Sequence, residues 1–225
     1  MSTLNHLTIA VPRGALFKDT VALLARLGVE TGELSANDRK LLFAEIGVIT
    51  MRPTDVPTYV EAGAADIGIT GKDVLSERAI GGEVGGVGRS VTGREVYELL
   101  DLGYGRCTMV LASIAGRPDP AAEALRRLGV MRVATKYPLI AARHFEETGR
   151  QAEIVEVKGS VELAPLTGLV EAIVDLTATG TTLRENDLEV REELFDCTAR
   201  LIANPVAHKL KAAAIDDLLE RLRAG

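Results

Sequence analysis

The sequence predicts an α/β protein of two lobes, each built on a mostly parallel sheet flanked by helices. Short apolar runs that suit buried strands alternate with amphipathic stretches of helical period, first within residues 7–75 and again in the middle of the chain. A chain of 225 residues can bury the core of one large domain or of two small lobes. Its composition, 47% hydrophobic and 26% charged, is ordinary for a globular protein.

The first lobe opens with three strand-and-helix pairs. Largely apolar runs predict its strands, at residues 7–11, 43–51 and 65–70. Gly28 ends the first helix as a C-cap, Pro57 suits the first turn of the second helix, and Gly71 begins the third. Consecutive pairs of this kind form a parallel sheet that is covered on both faces.

The rest of the chain continues the alternation. The glycine-rich segment 80–89 is predicted to be a surface loop rather than a nucleotide-binding fingerprint, because no strand-turn-helix context surrounds it. Further strands are predicted at residues 106–112, 131–135, 152–157, 172–176, 188–194 and 196–202, with helices at 120–128 and 138–147. A last helix begins at Pro205 and places four residues on one face, Leu210, Ala214, Leu218 and Leu222.

The order of these elements predicts a discontinuous first lobe. We expect the chain to enter the second lobe near Gly103 and to leave it near Asn186. Lobe I would then comprise residues 1–103 and 187–225, and lobe II residues 104–186. Two crossings of this kind make a hinge with a cleft beneath it.

Several classes of function are disfavoured by composition. A net charge of -6 argues against nucleic-acid binding, and no run approaches the roughly 20 apolar residues that span a membrane. The start of the chain lacks a signal-peptide pattern, so we expect a cytoplasmic protein. Cys107 and Cys197 are expected to be reduced, packed thiols, and the scattered histidines do not predict a zinc site.

The segment 170–186 carries the strongest functional signal. Its apolar strand ends at Asp175, and a loop of threonines around Gly180 then leads to a predicted helix that includes Leu183. Such a loop aims backbone N–H groups, hydroxyls and a helix dipole at one point, which suits a phosphate. The alternative is a tight strand-to-helix connection whose threonines only cap the helix.

Three arginines of the first lobe are candidates for binding an anionic ligand. Arg13 and Arg52 follow predicted strands, where parallel sheets bind ligands, and Arg39 lies in a polar turn. Arginine can hold phosphates bidentately. The alternatives are that Arg13 is a solvated loop residue and that Arg52 forms a structural ion pair.

The motifs together resemble one family, ATP phosphoribosyltransferase. The resemblance covers nearly the whole chain in order, through DRKL (38–41), RPTDVP (52–57), GAADIGITG (63–71), RVATKYP (132–138), GSVELAP (159–165), EAIVDLTATGTTL (171–183) and TARLIANP (198–205). The sequence departs from the family in the first turn, where Arg13-Gly14-Ala15 keeps one cation but has Ala15 in place of the usual arginine. A phosphate contact through that second position is missing.

The resemblance implies a fold like that of periplasmic binding proteins and the first reaction of histidine biosynthesis. In that reaction N1 of ATP attacks the ribose C1 of phosphoribosyl pyrophosphate, with Mg²⁺ bound to the substrate, and pyrophosphate leaves. The length resembles the short form of the enzyme, which forms a homo-oligomer and also a hetero-oligomer with a regulatory subunit similar to histidyl-tRNA synthetase. Nothing in the resemblance implies a protein metal cage, a nucleic acid or a membrane as a partner.

Roles follow for the candidate residues. We expect the 5-phosphate to bind to the loop formed by Thr177, Ala178, Thr179, Gly180, Thr181 and Thr182. Asp175 and Glu171 would hold the ribose hydroxyls, although Glu171 could instead be exposed or pair with a cation. Arg13, Arg39 and Arg52 would act catalytically on the phosphates, and no general base is needed. The rival classes are a two-lobed binding or sensory protein without catalysis and a phosphoribosyltransferase with a different acceptor.

Overall fold

A computed structural model describes residues 6–83, 96–116 and 118–224 of the chain. The strands are β1 (Ile9–Pro12), β2 (Leu42–Phe43), β3 (Val48–Met51), β4 (Ile67–Gly71), β5 (Tyr97–Asp101), β6 (Cys107–Ile114), β7 (Met131–Thr135), β8 (Ala152–Glu156), β9 (Ala172–Thr177), β10 (Leu188–Cys197) and β11 (Ala199–Ala203). The helices are α1 (Phe17–Arg26), α2 (Gly32–Ala36), α3 (Val56–Glu61), α4 (Lys72–Glu83), α5 (Pro120–Leu128), α6 (Pro138–Glu147), α7 (Leu163–Leu166), α8 (Thr181–Glu185), α9 (Pro205–Leu210) and α10 (Ala212–Ala224).

The chain divides into two compact units. Unit 1 comprises Met1–Arg78, Val84–Gly105 and Thr198–Gly225, and unit 2 comprises Ala79–Glu83 and Arg106–Cys197. Each unit has its own sheet and its own buried apolar clusters. Each unit is therefore built from separate segments of the chain.

Unit 1 is a mixed sheet in the order β2-β3-β1-β4-β11-β5. Its centre is parallel, because β1 pairs with both β3 and β4, whereas β11 runs antiparallel to β4 and β5. One face of the sheet packs through Ile9 and Ile69 into a cluster with Leu24 of α1 and Ile215 of α10. Alternation of side chains along the strands thus leaves the opposite face for α3.

The contact between α3 and the sheet is close. A Cβ atom added at Gly68 of β4 would lie 2.6 Å from Val56 Cγ1 and 2.7 Å from Val60 Cγ2. Ala10 and Ile202 join these valines in a second buried cluster. The small residue in β4 therefore lets the helix approach.

Unit 2 is a mixed sheet in the order β10-β6-β9-β7-β8. The strand β7 is parallel to β8 and β9, and β6 is antiparallel to β9 and β10. On β9, Ile173 packs in a cluster with Ala164 of α7 and Leu183 of α8, whereas Val174 packs with residues of α5 and α6. Because side chains alternate, Asp175 lies on the same side of the sheet as α7 and α8.

The boundary at the second crossing differs from the prediction. The sequence predicted that residues 187–225 belong to the first lobe, but β10 pairs with β6 from Leu188↔Ile114 to Cys197↔Cys107. This ladder places residues 187–197 in unit 2 and moves the crossing to the step between Cys197 and Thr198. The predicted strand 188–194 and the start of 196–202 are one continuous, bulged strand, because the register shifts twice without ending the pairing.

Three other elements differ from their predictions. The predicted strand 43–51 is two antiparallel strands, β2 and β3, separated by a short 3-10 segment at Ala44–Ile46. Residues 80–83 of the predicted glycine-rich loop form the last turn of α4, and the remainder of that loop lies outside the described residues. The predicted final helix is two helices, which meet at Lys211. Leu210 is 79% exposed at the end of α9, whereas Leu218 of α10 is buried, so the predicted four-residue face is not shared by both helices.

Candidate active site

The threonine-rich loop forms a pocket of about 140 Å³ at the carboxyl end of β9. The pocket is lined by Glu162, Asp175, Leu176, Thr177, Ala178, Thr179, Gly180, Thr181, Thr182 and Leu183. Seven of the eight residues assigned by sequence to phosphoribosyl pyrophosphate therefore lie together, and Glu162 joins them from the turn before α7.

Hydrogen bonds within the loop hold its shape. The backbone N–H of Gly180 donates to Thr177 Oγ1 over 2.9 Å, and the hydroxyls of Thr179 and Thr181 are 2.9 Å apart. Arg184 donates to the carbonyl oxygen of Thr179 over 2.9 Å and to Thr181 Oγ1 over 3.1 Å. These bonds fold the loop into a compact concave turn.

Gly180 has the backbone conformation that this turn requires. Its φ of +69° is in the left-handed region, which L-residues with a Cβ rarely adopt. The helix that follows, α8, has only five residues, so its aligned peptide dipoles contribute less than the sequence led us to expect. The hydroxyls and loop amides, rather than the helix, are the groups that suit an anion here.

Asp175 lies at the bottom of the pocket with only 7% of its surface exposed. Its Oδ1 accepts a 2.9 Å hydrogen bond from the N–H of Leu176, and its Oδ2 is 3.6 Å from Lys136 Nζ. Burial raises the pKa of the Asp175 carboxyl, and the positive charge of Lys136 opposes that rise. A buried carboxylate beside a cation can accept hydrogen bonds from two ligand hydroxyls.

Glu171 is not part of the pocket, contrary to its predicted role at the ribose. It precedes the amino end of β9, and the four residue steps from it to Asp175 span roughly 13 Å of extended chain. Its carboxylate accepts hydrogen bonds from the backbone N–H and the guanidinium of Arg132, the first of them 2.7 Å long. The structure therefore shows the alternative considered for Glu171, which is an ion pair with a cation.

Arg13 and Arg52 follow two neighbouring parallel strands of unit 1. Pro12 at the end of β1 lies opposite Met51 at the end of β3, and the N–H of Arg13 donates to the carbonyl oxygen of Met51 over 2.7 Å. Arg13 and Arg52 thus start from the same edge of the sheet. Thr70 at the end of β4 joins this edge, because its hydroxyl donates to the carbonyl oxygen of Pro53 over 2.8 Å.

Arg13 contacts the polar turn of residues 37–40. Its guanidinium donates to the carbonyl oxygens of Lys40 and Asn37, over 2.8 Å and 3.2 Å, and lies 3.3 Å from Asp38 Oδ1. It also stacks over the ring of Phe17 at 4.7 Å. The residue is therefore not a solvated loop cation but fastens the turn that carries Arg39.

Arg39 and Arg52 are exposed at this edge. Neither guanidinium makes a hydrogen bond or ion pair within the parts of the chain that the structure describes. The structural ion pair considered for Arg52 is thus not seen among those residues. Both side chains are available to a ligand of unit 1.

Sequence reasoning missed Lys136, Glu162 and Arg184. Lys136 and Glu162 lie within motifs that carried the family resemblance, yet no role was assigned to either of them. Lys136 follows a strand that pairs in parallel with β9, so a correct sheet order would have placed it beside Asp175. Arg184 lies one turn after Gly180, and its spacing was the available signal.

Two further searches covered only the described residues. None of the helices found there combines the length and apolar character that crossing a membrane requires. In the same residues, no three side chains of His, Cys, Asp or Glu are grouped in a way that would hold a metal ion.

The fold and the loop define a two-lobed α/β protein with a pocket formed by a threonine- and glycine-rich loop in its second unit. A family model described as ATP phosphoribosyltransferase matches residues 52–224, and the chain belongs to this family. The resemblance seen in the sequence motifs is thereby confirmed.

Individual relatives agree with this assignment. A curated ATP phosphoribosyltransferase from Rubrobacter xylanophilus is 52% identical over 218 residues, which cover 96% of this chain and 94% of that protein. A solved structure, the ATP phosphoribosyl transferase (HisG:HisZ) complex from Thermotoga maritima, matches with a TM-score of 0.74 and 33% identity, covering 96% of each chain.

A more distant structure bears on the fold alone. An ancestral amino acid-binding protein, a precursor of cyclohexadienyl dehydratase, matches with a TM-score of 0.58 and 11% identity. The match covers 96% of this chain and 88% of that one. The predicted fold class, a two-lobed α/β fold like that of binding proteins, is confirmed. The sheets were predicted to be mostly parallel but are mixed, because β10, β11 and their neighbours pair antiparallel.

Proposed function

We propose that this chain condenses ATP with phosphoribosyl pyrophosphate to give phosphoribosyl-ATP and pyrophosphate, the first step of histidine biosynthesis. The observation that carries the proposal is the pocket of unit 2, in a chain that belongs to the ATP phosphoribosyltransferase family. There, a buried carboxylate and a threonine-glycine loop meet in one concave site, as recognition of a sugar phosphate requires.

The pocket would hold the sugar and leave its C1 atom open to attack. The amides and hydroxyls of residues 177–182 bind the 5-phosphate, while Asp175 accepts hydrogen bonds from the ribose hydroxyls. Bond breaking at C1 gives an oxocarbenium-like transition state, whose positive charge a nearby carboxylate stabilises. N1 of adenine carries a lone pair and no proton, so its attack on C1 requires no general base.

The arginines of unit 1 are proposed to bind phosphates of ATP or of the leaving pyrophosphate. Arg52 and Arg39 act directly, because their guanidinium groups are exposed, and Arg13 positions the turn that carries Arg39. Pyrophosphate gains negative charge as the C1–O bond breaks, so cations that meet it lower the barrier. Ala15 offers no second phosphate contact in the first turn.

A magnesium ion fits this chemistry as an ion bound to the substrate phosphates rather than one held in a protein cage. Mg²⁺ keeps several waters and commonly binds through one or two carboxylates and substrate phosphates. When bound, the ion would neutralise charge on the diphosphate.

The proposal includes an assembly and a location. We infer that the chain is cytoplasmic and forms a homo-oligomer that joins a regulatory subunit similar to histidyl-tRNA synthetase. A complex of two different proteins in the related Thermotoga maritima structure supports such a partner.

The test measures both products of the reaction in parallel. Purified protein is mixed with ATP, phosphoribosyl pyrophosphate and Mg²⁺, with and without the partner subunit, and the ultraviolet absorbance of N1-substituted adenine is followed. We expect an absorbance rise matched by an equal release of pyrophosphate. The control is an ATP analogue already alkylated at N1, which should give neither signal. Pyrophosphate release with that analogue would favour a different acceptor, and binding without turnover a sensory protein.

A further inference from the structure

The pairing of β7 with β9 places Lys136 beside Asp175, the candidate ribose-binding carboxylate. Lys136 comes after β7, which is parallel to β9 and in register through Thr135↔Val174. Lys136 follows Thr135 and Asp175 follows Val174, so both side chains start from the same edge of the sheet. Their charged atoms, Nζ and Oδ2, are 3.6 Å apart.

Few groups around Asp175 stabilise the ionised form of its carboxyl. On its own strand it accepts only the N–H of Leu176, and on the adjacent strand β6 its register partner is the apolar Val110. Glu162, from the turn before α7, faces the same pocket with a like charge. Burial and a second carboxylate both disfavour ionisation of Asp175, and Lys136 is the cation that opposes them.

Lys136 is also free to remain at this position when a ligand binds. About 40% of its side chain is exposed, and Asp175 is its ion-pair partner among the described residues. The ammonium has three N–H donors and lies at ion-pair distance from one carboxylate oxygen. Asp175 retains lone pairs for the hydroxyls of a sugar.

We propose that Lys136 is a positioning residue: its ammonium keeps the Asp175 carboxylate ionised and turned toward the ribose hydroxyls of the bound donor. This inference rests on the proposed function, because it assigns a task to the same pocket. A lysine that only stabilised the fold would leave the pH dependence of catalysis unchanged.

The experiment is a pH profile of kcat/KM for phosphoribosyl pyrophosphate in the wild type, Lys136→Met and Lys136→Arg. Without Lys136 the pKa of the Asp175 carboxyl rises further. The variant should therefore lose activity on acidification at a higher pH than the wild type does. We expect the acid limb of Lys136→Met to move up by about one pH unit, with about a tenfold loss on that limb. Activity should recover toward alkaline pH, and Lys136→Arg should restore the wild-type profile.

A matched control removes another cation of unit 2. Arg126→Met eliminates an exposed ion pair with Glu123 on α5, at 2.8 Å, and should leave the profile unchanged. The second measurement is a double-mutant cycle with Asp175→Asn, in which adding Lys136→Met should cause no further loss of kcat/KM. This cycle shows whether Lys136 acts through Asp175 even where the single variant is less stable.

The outcomes separate this inference from the function on which it rests. A wild-type protein without turnover overturns the proposed function and the role of Lys136 with it. An active wild type with an unshifted profile in Lys136→Met overturns the positioning role alone. Losses that add fully in the double mutant also overturn it, because they show that Lys136 acts independently of Asp175.

Discussion

The guanidinium of Arg13 donates a 2.8 Å hydrogen bond to the carbonyl oxygen of Lys40. Together with its bond to the carbonyl oxygen of Asn37, this contact closes the turn in which Arg39 lies. We expect Arg13→Ala to release the turn and to lower kcat/KM about tenfold, since each hydrogen bond contributes roughly 1 kcal/mol. Amide hydrogen exchange across residues 37–41 measures the release directly.

The matched control for this turn is Lys18→Ala. Lys18 is an exposed cation on α1, close in sequence to Arg13, and its removal should leave both exchange and kcat/KM at wild-type levels. If exchange across residues 37–41 stayed slow in Arg13→Ala, the guanidinium would not be what holds the turn.

Arg52 should matter for turnover and not for stability. Its side chain is exposed at the end of β3 and makes no ion pair within the described residues, so Arg52→Ala should change the free energy of unfolding by less than about 0.5 kcal/mol. Loss of a cation at the departing pyrophosphate should lower kcat about 100-fold. Steady-state kinetics and thermal unfolding of the same preparation test both halves.

Arg52→Lys refines that prediction. Lysine keeps the charge but cannot bind a phosphate bidentately, so its kcat should lie between those of the wild type and Arg52→Ala. Near-normal turnover of Arg52→Ala would remove Arg52 from the site.

Gly180→Ala should weaken binding of the donor through the backbone rather than through a clash. A Cβ at this position would meet the flexible end of Arg184 at 2.9 Å, whereas a φ of +69° is itself unfavourable for alanine. The strain, about 1–2 kcal/mol, should loosen the loop and raise the Kd for phosphoribosyl pyrophosphate about tenfold. Calorimetric titration measures the Kd.

Gly159→Ala is the matched control for the loop glycine. It lies in the same unit, has no positive φ, and an added Cβ would meet nothing within 4 Å. Its Kd should equal that of the wild type. Equal affinities of Gly180→Ala and Gly159→Ala would place the sugar phosphate outside the loop.

The strand periodicity and the turn residues made much of the fold predictable from sequence. Local signals located α5, α6 and β7 with the observed bounds, because Pro120, Pro138 and the flanking glycines mark their ends. The pairing of β10 with β6 could not be read in this way. Antiparallel pairing is a contact between distant segments, and the sequence of β10 also suits a strand in the other sheet.

The candidate site was predictable to the same extent. Residues 175–182 are contiguous, so their proximity followed from the strand and loop pattern alone. Lys136 lies beside Asp175 because of the sheet order, and Glu162 reaches the pocket because α7 packs against β9. Glu171 shares a strand face with Asp175 but lies at its opposite end, a distinction that period-two alternation does not make.

Glu171 should prove to be a structural residue whose effect depends on pH. Burial acts to raise the pKa of its carboxyl, but hydrogen bonds from Arg132 outweigh burial and hold the pKa below its ordinary value of 4.5. A lowered pKa stabilises the fold above the unfolded pKa, and the contribution is lost as pH falls through the folded value. Glu171→Gln should therefore unfold at a lower temperature than the wild type at pH 7, with a difference that shrinks below about pH 4.5.

Kinetics distinguish this role from a contact with the ribose. Because Glu171 lies outside the pocket, Glu171→Gln should keep KM for phosphoribosyl pyrophosphate within about twofold of the wild type. Glu147→Gln, which removes an exposed carboxylate at the end of α6, is the control and should change neither KM nor the pH dependence of unfolding. A large rise in KM for Glu171→Gln alone would return this residue to the ribose, because the loss of the Arg132 pair at the far end of β9 supplies no reason for it.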